Sequence, residues 1–346
     1  MKRIYLIALI GLTTAILPLS AHDFSVRLKG DNTLYFSILD TVKHTIAVTA
    51  AVKYPGIKTE KPSNRLDIPG IVQHRDTVWY VTTINAKAFA NSDQLTFVSL
   101  PSSVESIGDA AFSGCSSLMG IIFPARQISI SKDAFMGCKA IANISFGTDW
   151  TEIDLNLFQD SDSLRMVRVP ARVRKLTNLK SLTALETVEV DPNNSVFHSR
   201  DGLLYSADQQ TLFACPRGRS GEVIVPEETV SILDGAFADC SLLESISLPS
   251  SLQKVSYLEF SRCTLLKSLT LHAKKPITTA RREGVPVFAI RMPSSKMVLF
   301  VPSETFSLYQ KVICTEAGHY ENMDGRQNEY FQEVGFVSKK SIKRIK

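Results

Sequence analysis

The sequence lacks the motifs that mark common catalytic and nucleotide-binding folds. It contains no H-E-x-x-H, no G-x-S-x-G, no G-x-x-x-x-G-K-[ST] and no G-x-G-x-x-G. Nothing in it therefore indicates a zinc protease, a hydrolase nucleophile elbow or a phosphate-binding loop. The six cysteines form no C-x-x-C pair, and the six histidines are scattered over unlike contexts. We predict no catalytic residue, no cofactor and no metal site.

Long apolar runs are also scarce. Ile4–Leu17 is uncharged and apolar, but it is shorter than the roughly 20 residues that span a bilayer. Lys2 and Arg3 precede it, and Leu19-Ser20-Ala21 supplies the small residues that signal peptidase needs. We predict a cleaved secretory signal over residues 1–21, with an uncleaved anchor as the alternative. The mature protein would have no stable membrane span and would be secreted or on the cell surface, with the periplasm possible.

Basic residues are too few on the body of the chain for a nucleic-acid binder. The net charge is +5, but residues 338–346 alone contain five lysines and arginines. Without this tail and the signal, the body is slightly acidic, so we expect no nucleic-acid partner. The tail is predicted to be a solvated end, with contact to an anionic surface or partner as the alternative.

A 23-residue repeat organises the centre of the chain. The repeated phenylalanines are Phe89, Phe112, Phe135 and Phe158, and then Phe237 and Phe260. Leucine or isoleucine follows each of them six residues later, and an apolar pair follows nine and eleven residues later. Such a pair has the period of a short strand with two inward side chains. One coil cannot bury enough surface to offset its chain entropy, so the coils must stack as a solenoid.

The segments Leu95–Pro101 (L-x-x-V-x-L-P) and Ile107–Cys115 (I-G-D-A-A-F-S-G-C) resemble the BspA-like, treponemal-type leucine-rich repeats of bacterial surface proteins. The resemblance is clear over residues 84–275. It is weaker at Leu66–Pro69 and Leu299–Pro302, and these two bring the strand rungs to ten. The predicted fold is an α/β-type repeat solenoid with a parallel strand on one face and turns or short helices on the other. The resemblance also implies adhesion or binding of a host extracellular protein.

Two segments interrupt the repeat. Leu179, Leu182 and Leu185 replace the expected Phe, Cys and Leu in a coil that is two residues shorter. Residues 191–216 hold Leu203–Tyr205 and Thr211–Phe213 on either side of a five-residue loop. This pattern predicts a β-hairpin insert, interpreted as a satellite on one edge of the solenoid.

The remaining segments are predicted to cap the ends of the array. Residues 22–65 alternate as strands and read as a β-rich N-terminal cap, which an open repeat end requires. Residues 66–275 form the predicted solenoid. Residues 276–346 are the predicted C-terminal capping region with the basic tail.

Four cysteines share one repeat slot, three residues after phenylalanine: Cys115, Cys138, Cys240 and Cys263. The prediction is a column of buried thiols that pack as small apolar groups. A disulfide between Cys115 and Cys138 is the alternative. The thiol or disulfide state of Cys215 and Cys314 stays undecided.

Polar residues at the insert allow two chemical interpretations that the sequence does not favour. Asp191 begins a segment that mimics a calcium loop but lacks its Gly and Glu, so a turn is predicted. His198, Asp201 and Asp208 could be imagined as an acid–base set, but turn roles are predicted for them as well.

The strand face that points away from the core is the candidate protein-binding surface. Its predicted residues are Phe97, Ser99, Ile122, Asn143, Ser145, Met166, Arg168, Thr187 and Glu189. The apolar members are expected to cluster beside Arg168 and to suit a protein partner. The alternative is a merely solvated sheet.

The predicted function is that of a non-enzymatic secreted binding protein. One alternative is a structural component of the cell envelope, and the other is a hydrolase with its site in a cap or in the hairpin.

Overall fold

The computed structural model describes residues 22–28, 32–50, 61–255, 258–260, 262–274, 278–279, 290–291, 297–307 and 342–345. The predicted signal 1–21, Cys314 and most of the predicted C-terminal capping region 276–346 lie outside these residues. The chain divides into two compact units, Met1–Leu118 with Ile128–Gly137, and Met119–Gln127 with Cys138–Lys346.

Among the described residues, the regular secondary structure consists almost entirely of short strands. They are β1(Phe24–Arg27), β2(Thr33–Asp40), β3(Thr45–Thr49), β4(Asn64–Asp67), β5(Ile71–His74), β6(Thr77–Ile84), β7(Leu95–Ser99), β8(Ser106–Ile107), β9(Gly120–Ile122), β10(Ser129–Ile130), β11(Asn143–Ser145), β12(Glu152–Asp154), β13(Met166–Val169), β14(Lys175–Thr177), β15(Thr187–Val190), β16(Phe197–Arg200), β17(Leu203–Ser206), β18(Thr211–Ala214), β19(Gly221–Ile224), β20(Ser231–Ile232), β21(Leu243–Leu248), β22(Lys254–Val255), β23(Leu258–Glu259), β24(Ser268–Leu271), β25(Thr278–Thr279), β26(Ile290–Arg291), β27(Val298–Val301) and β28(Ile342–Arg344). Within the described residues, the longest helical segments are two 3-10 turns, Leu155–Phe158 and Leu179–Ser181. The α/β-type prediction therefore overstated the helix content, because turns and short strands fill the side where helices were possible.

The first unit begins with an antiparallel sheet that leads into parallel pairing. β1, β2 and β3 pair antiparallel, and β3 then pairs parallel with β6. Phe36 and Val48 face each other across β2 and β3 and are fully buried. β4 pairs parallel with β7, with Leu66 opposite Val98, so Leu66–Pro69 is a rung as the weaker resemblance implied. A second parallel ladder runs through β6, β8 and β10.

The repeated phenylalanines of the first unit are stacked in a column. The ring centroids of Phe89 and Phe112 are 5.0 Å apart, and those of Phe112 and Phe135 are 5.3 Å apart. The backbone N–H of Phe112 donates to Ala134 O at 2.8 Å, which joins one coil to the next. The stacked coils predicted from the 23-residue spacing are confirmed here.

The second unit repeats this arrangement on longer ladders. β9 pairs with β11, β13 pairs with β15, and β19, β21, β24, β27 and β28 form one parallel sheet. Its central buried row is Val223, Ile246, Leu269, Leu299 and Ile342. The Leu299–Pro302 rung is thereby confirmed. The ring centroids of Phe237 and Phe260 lie 5.8 Å apart in the same core.

The basic tail contributes a strand to this sheet. β28 pairs parallel with β27, and Ile342 is buried at 4% exposure while Lys343 and Arg344 stay exposed. The prediction of a wholly solvated end was therefore wrong for these residues. Ile342 lies opposite Leu299 and continues the buried row of inward side chains.

The shortened coil keeps its core closed, as predicted. Leu179, Leu182 and Leu185 are buried. Val167 remains opposite Val188 in the parallel pair of β13 and β15. The two missing residues are therefore lost from the turn and not from the strand.

The hairpin insert is part of the core and not a satellite, which corrects the prediction. β16, β17 and β18 form the expected antiparallel hairpins. However, β18 also pairs parallel with β20, with Leu212 opposite Ile232. Leu203, Tyr205 and Leu212 belong to the buried core of the second unit, and burial raises the pKa of the Tyr205 hydroxyl. The insert thus supplies one strand of a parallel ladder that continues from β18 through β20 to β22.

The cysteines of the described residues are buried thiols, as predicted for the repeat slot. Cys115 Sγ donates to Phe89 O at 3.2 Å, and Cys263 Sγ donates to Phe237 O at the same distance. Each of these two thiols thus donates a hydrogen bond to the backbone carbonyl of the phenylalanine in the preceding coil. Cys215 is buried as well.

Candidate binding surface

The predicted surface residues of the second unit lie in register on paired strands. Ile122 of β9 is opposite Ser145 of β11, and Asn143 is opposite Gly120. Asn143 and Ser145 are exposed, whereas the intervening Ile144 turns toward the core and is less exposed. Alternation along each strand therefore places these side chains on the outward face.

The next two strands add a charged pair to this face. Met166 is opposite Thr187, and Arg168 is opposite Glu189. The Arg168 Nε donates to Glu189 Oε2 at 2.8 Å. Arg168 is therefore one half of an ion pair and not an isolated cation beside an apolar patch. Because both side chains are largely exposed, the pair contributes little to stability.

The apolar residues of this face do not form one cluster. Ile122 is half-buried on β9, and Met166 is 38% exposed on β13. The strand between them, β11, contacts both and presents Asn143 and Ser145. The surface is a mixture of single apolar side chains, amide, hydroxyl and charge.

The first unit holds the other two predicted residues, Phe97 and Ser99 of β7. Arg65 and Asp67 of β4 are opposite them. The Arg65 guanidinium lies 4.4 Å from the Phe97 ring centroid, and it also pairs with Asp67 at 2.9 Å. The hydrogen bond to Asp67 raises the pKa of Arg65. Phe97 is thus half-covered by a cation that the sequence analysis did not assign to the surface.

Sequence reasoning also missed the outward residues of β19. Ile224 is 64% exposed and opposite Ser247 of β21, and Glu222 is opposite Ser245. The signal was present, since Val223-Ile224-Val225-Pro226 has the strand-then-proline pattern of a rung. The rung itself is recognisable from the sequence, but its outward residues were not included in the predicted surface.

The acidic residues of the insert lie at turns, where turn roles were predicted for them. Asp201 lies at the turn before β17, and Asp208 lies at the turn after it. Asp208 accepts hydrogen bonds from Ser206 Oγ and from the Gln210 N–H, which lower its pKa. Asp191 accepts the N–H of Asn193, so it forms the predicted turn.

The described residues also bear on metals and membranes. Among them, no group of three or more potential ligand side chains could hold a metal ion. No helix in the described part of the chain is long and apolar enough to cross a bilayer.

Comparison with protein families agrees with this repeat geometry. The BspA type leucine rich repeat region matches in six copies, over residues 82–200 and 213–281. The chain belongs to the BspA-type leucine-rich repeat family. The break in the match, between residues 200 and 213, falls within the hairpin insert. BspA-type repeat proteins are typically non-enzymatic.

The solved structures that match this chain include three bacterial proteins. The pneumococcal vaccine antigen PcpA is 16% identical, with 84% of this chain and 96% of that chain covered and a TM-score of 0.45. A leucine-rich repeat protein from Bacteroides ovatus is 18% identical, with 82% and 80% covered and a TM-score of 0.44. A leucine rich cell surface protein from Faecalibacterium prausnitzii is 18% identical, with 82% and 89% covered and a TM-score of 0.39. A search of curated proteins gave no match.

Proposed function

We propose that this BspA-type protein is exported and binds a protein partner through the outward face of its parallel strands, as an adhesin or a receptor for a host extracellular protein. The observation that carries the proposal is the register of β13 and β15. It holds Met166, Thr187 and the Arg168–Glu189 pair side by side while the alternate residues Val167 and Val188 are buried.

This composition suits an interface that forms and dissociates. Such interfaces combine scattered apolar side chains with polar and charged ones, and methionine and arginine are enriched in them. The core of each coil is closed without these outward side chains, so binding does not compete with folding. Phe97 beneath Arg65 offers the same combination in the first unit.

The binding test uses purified full-length protein and a panel of purified host extracellular and plasma proteins on a biosensor. We expect the substitution Met166→Glu to weaken capture of the bound protein at least about tenfold, because it places an unpaired charge in the contact. Met136→Glu is the matched control, since Met136 is 51% exposed in a turn and lies outside the strands. Ile122→Glu tests the neighbouring rung in the same way.

The outcomes separate the proposal from its alternatives. If the Met166→Glu and Ile122→Glu variants fold correctly by circular dichroism and still bind the captured protein as tightly as the wild type, this face is not the binding surface. Cell fractionation tests export: the proposal requires the mature protein outside the cytoplasm, with residues 1–21 removed. Retention in the envelope fraction, with no binding to any panel protein, instead supports a structural component of the envelope.

A further inference from the structure

Two buried cysteines meet where the hairpin insert rejoins the repeats. The N–H of Cys215 donates to Ala236 O at 2.8 Å, just as Phe89 donates to Ala111 O in the first unit. Cys215 therefore occupies the phenylalanine slot of its coil. Cys240 occupies the cysteine slot of the next coil.

The two sulfur atoms share one carbonyl group. Cys240 Sγ lies 3.7 Å from Pro216 O and 3.6 Å from Cys215 O, and Cys215 Sγ lies 3.6 Å from Pro216 O. The Cys263 thiol, by contrast, has a single close acceptor at 3.2 Å, the Phe237 carbonyl. The thiol of Cys240 is thus held only by long contacts, and the Pro216 oxygen that it contacts is also contacted by the sulfur of Cys215.

Cysteines that share a slot are less suited to bond with each other. Parallel rungs are about 4.8 Å apart, and same-slot side chains point in the same direction. Their Cβ atoms therefore stay near this spacing, whereas a disulfide needs about 3.5–4.5 Å. Cys215 and Cys240 belong to different slots of adjacent coils, and their sulfur atoms lie 3.6 and 3.7 Å from the same Pro216 oxygen.

We propose that Cys215 and Cys240 form a disulfide when the protein folds in an oxidising compartment. The oxidant is a low-molecular-weight disulfide such as oxidised glutathione, or an oxidoreductase that carries a disulfide. One cysteine thiolate attacks the oxidant and releases its first thiol, and the second thiolate then attacks the mixed disulfide and releases the other. The two protons and two electrons leave with the oxidant, which ends as two thiols.

The bond must form before the core closes. In the folded unit, the hydrogen bond with Cys215 and burial raise the pKa of the Cys240 thiol. A raised pKa makes the reactive thiolate scarce at neutral pH. Oxidation therefore belongs to folding, and the product joins the end of the insert covalently to the repeats that follow it.

The test refolds reduced, denatured full-length protein in a glutathione redox buffer and maps its non-reduced peptides by mass spectrometry. We expect a linked peptide containing Cys215 and Cys240 that disappears after reduction. Cys263→Ala should retain the link, and Cys240→Ala should lose it. Protein that is folded before the buffer is added should stay reduced over the same period.

The wild-type peptide map decides the matter even if a variant fails to fold. A map in which both residues remain thiols, or in which Cys240 is joined to Cys263, overturns the proposal. Oxidation of the prefolded protein as fast as during refolding overturns the inferred order of events.

Discussion

Removal of one ring from the phenylalanine column should destabilise the first unit strongly. Phe112 is 1% exposed, and its ring lies between those of Phe89 and Phe135 at 5.0 and 5.3 Å. Phe→Ala in a core costs about 3–5 kcal/mol, and each stacked pair adds about 0.5–1.5 kcal/mol beyond the buried area. Because the coils on either side cannot collapse without breaking their ladder, we expect Phe112→Ala to cost about 5 kcal/mol.

The assay is urea unfolding followed by circular dichroism, together with a thermal melt. A loss of this size corresponds to a fall of about 20 °C or more in the melting temperature of a unit of about 100 residues. Phe112→Leu keeps most of the volume and should cost about 1–2 kcal/mol. Met136→Ala, at an exposed turn position, should change stability by less than about 0.5 kcal/mol. If Phe112→Ala behaves like Met136→Ala, the column does not support the unit and the reasoning fails.

Three further predictions follow from close contacts and buried groups. A Cβ at Gly147 would clash with the backbone oxygen of Pro124, so Gly147→Ala should lower the free energy of unfolding in urea by about 1–3 kcal/mol. The hydrogen bond from the Ser206 hydroxyl is the main cause that lowers the pKa of Asp208 from its ordinary value of 3.8. The ionised carboxylate therefore stabilises the fold at a pH above its pKa in the unfolded chain, and this stabilisation is lost as the pH falls through its lower pKa in the folded protein. The melting temperature of Asp208→Ala should therefore fall less between pH 5 and pH 2 than that of the wild type, because the variant has lost this carboxylate's contribution. Burial raises the pKa of Cys263 to about 12, so in fully reduced protein a thiol reagent at about pH 8 should label Cys263 only after denaturation, and rapid native labelling would contradict its burial.

Most of the repeat architecture could be predicted from the sequence because the same residue types recur at the same offsets. The 23-residue spacing alone was enough to predict one column of Phe89, Phe112 and Phe135, because each coil repeats the path of the preceding coil. Arg65 could not be placed over Phe97, because this contact joins residues that are 32 positions apart and depends on which strand is the neighbour.

The hairpin insert contains positions that the 23-residue spacing could not predict. Leu212 is a rung opposite Ile232, yet it lies outside the 23-residue register because the two hairpin turns precede it. Cys215 fills a slot that phenylalanine fills elsewhere, so the residue type gives no indication of its role. β28 was missed for a related reason: its inward position is marked by a single isoleucine, which does not produce a pattern.

Strand register, and not distance along the chain, determines which side chains meet on the outward face. Arg168 and Glu189 are 21 residues apart, whereas Lys267 and Glu244 are 23 apart, and both pairs join neighbouring strands. The turn absorbs the difference in coil length, because the buried residues on each strand fix the pairing. The outward side chains can therefore change without loss of the core, provided that the inward residues of each rung are kept. Under the proposed function, this separation lets one framework carry different binding specificities.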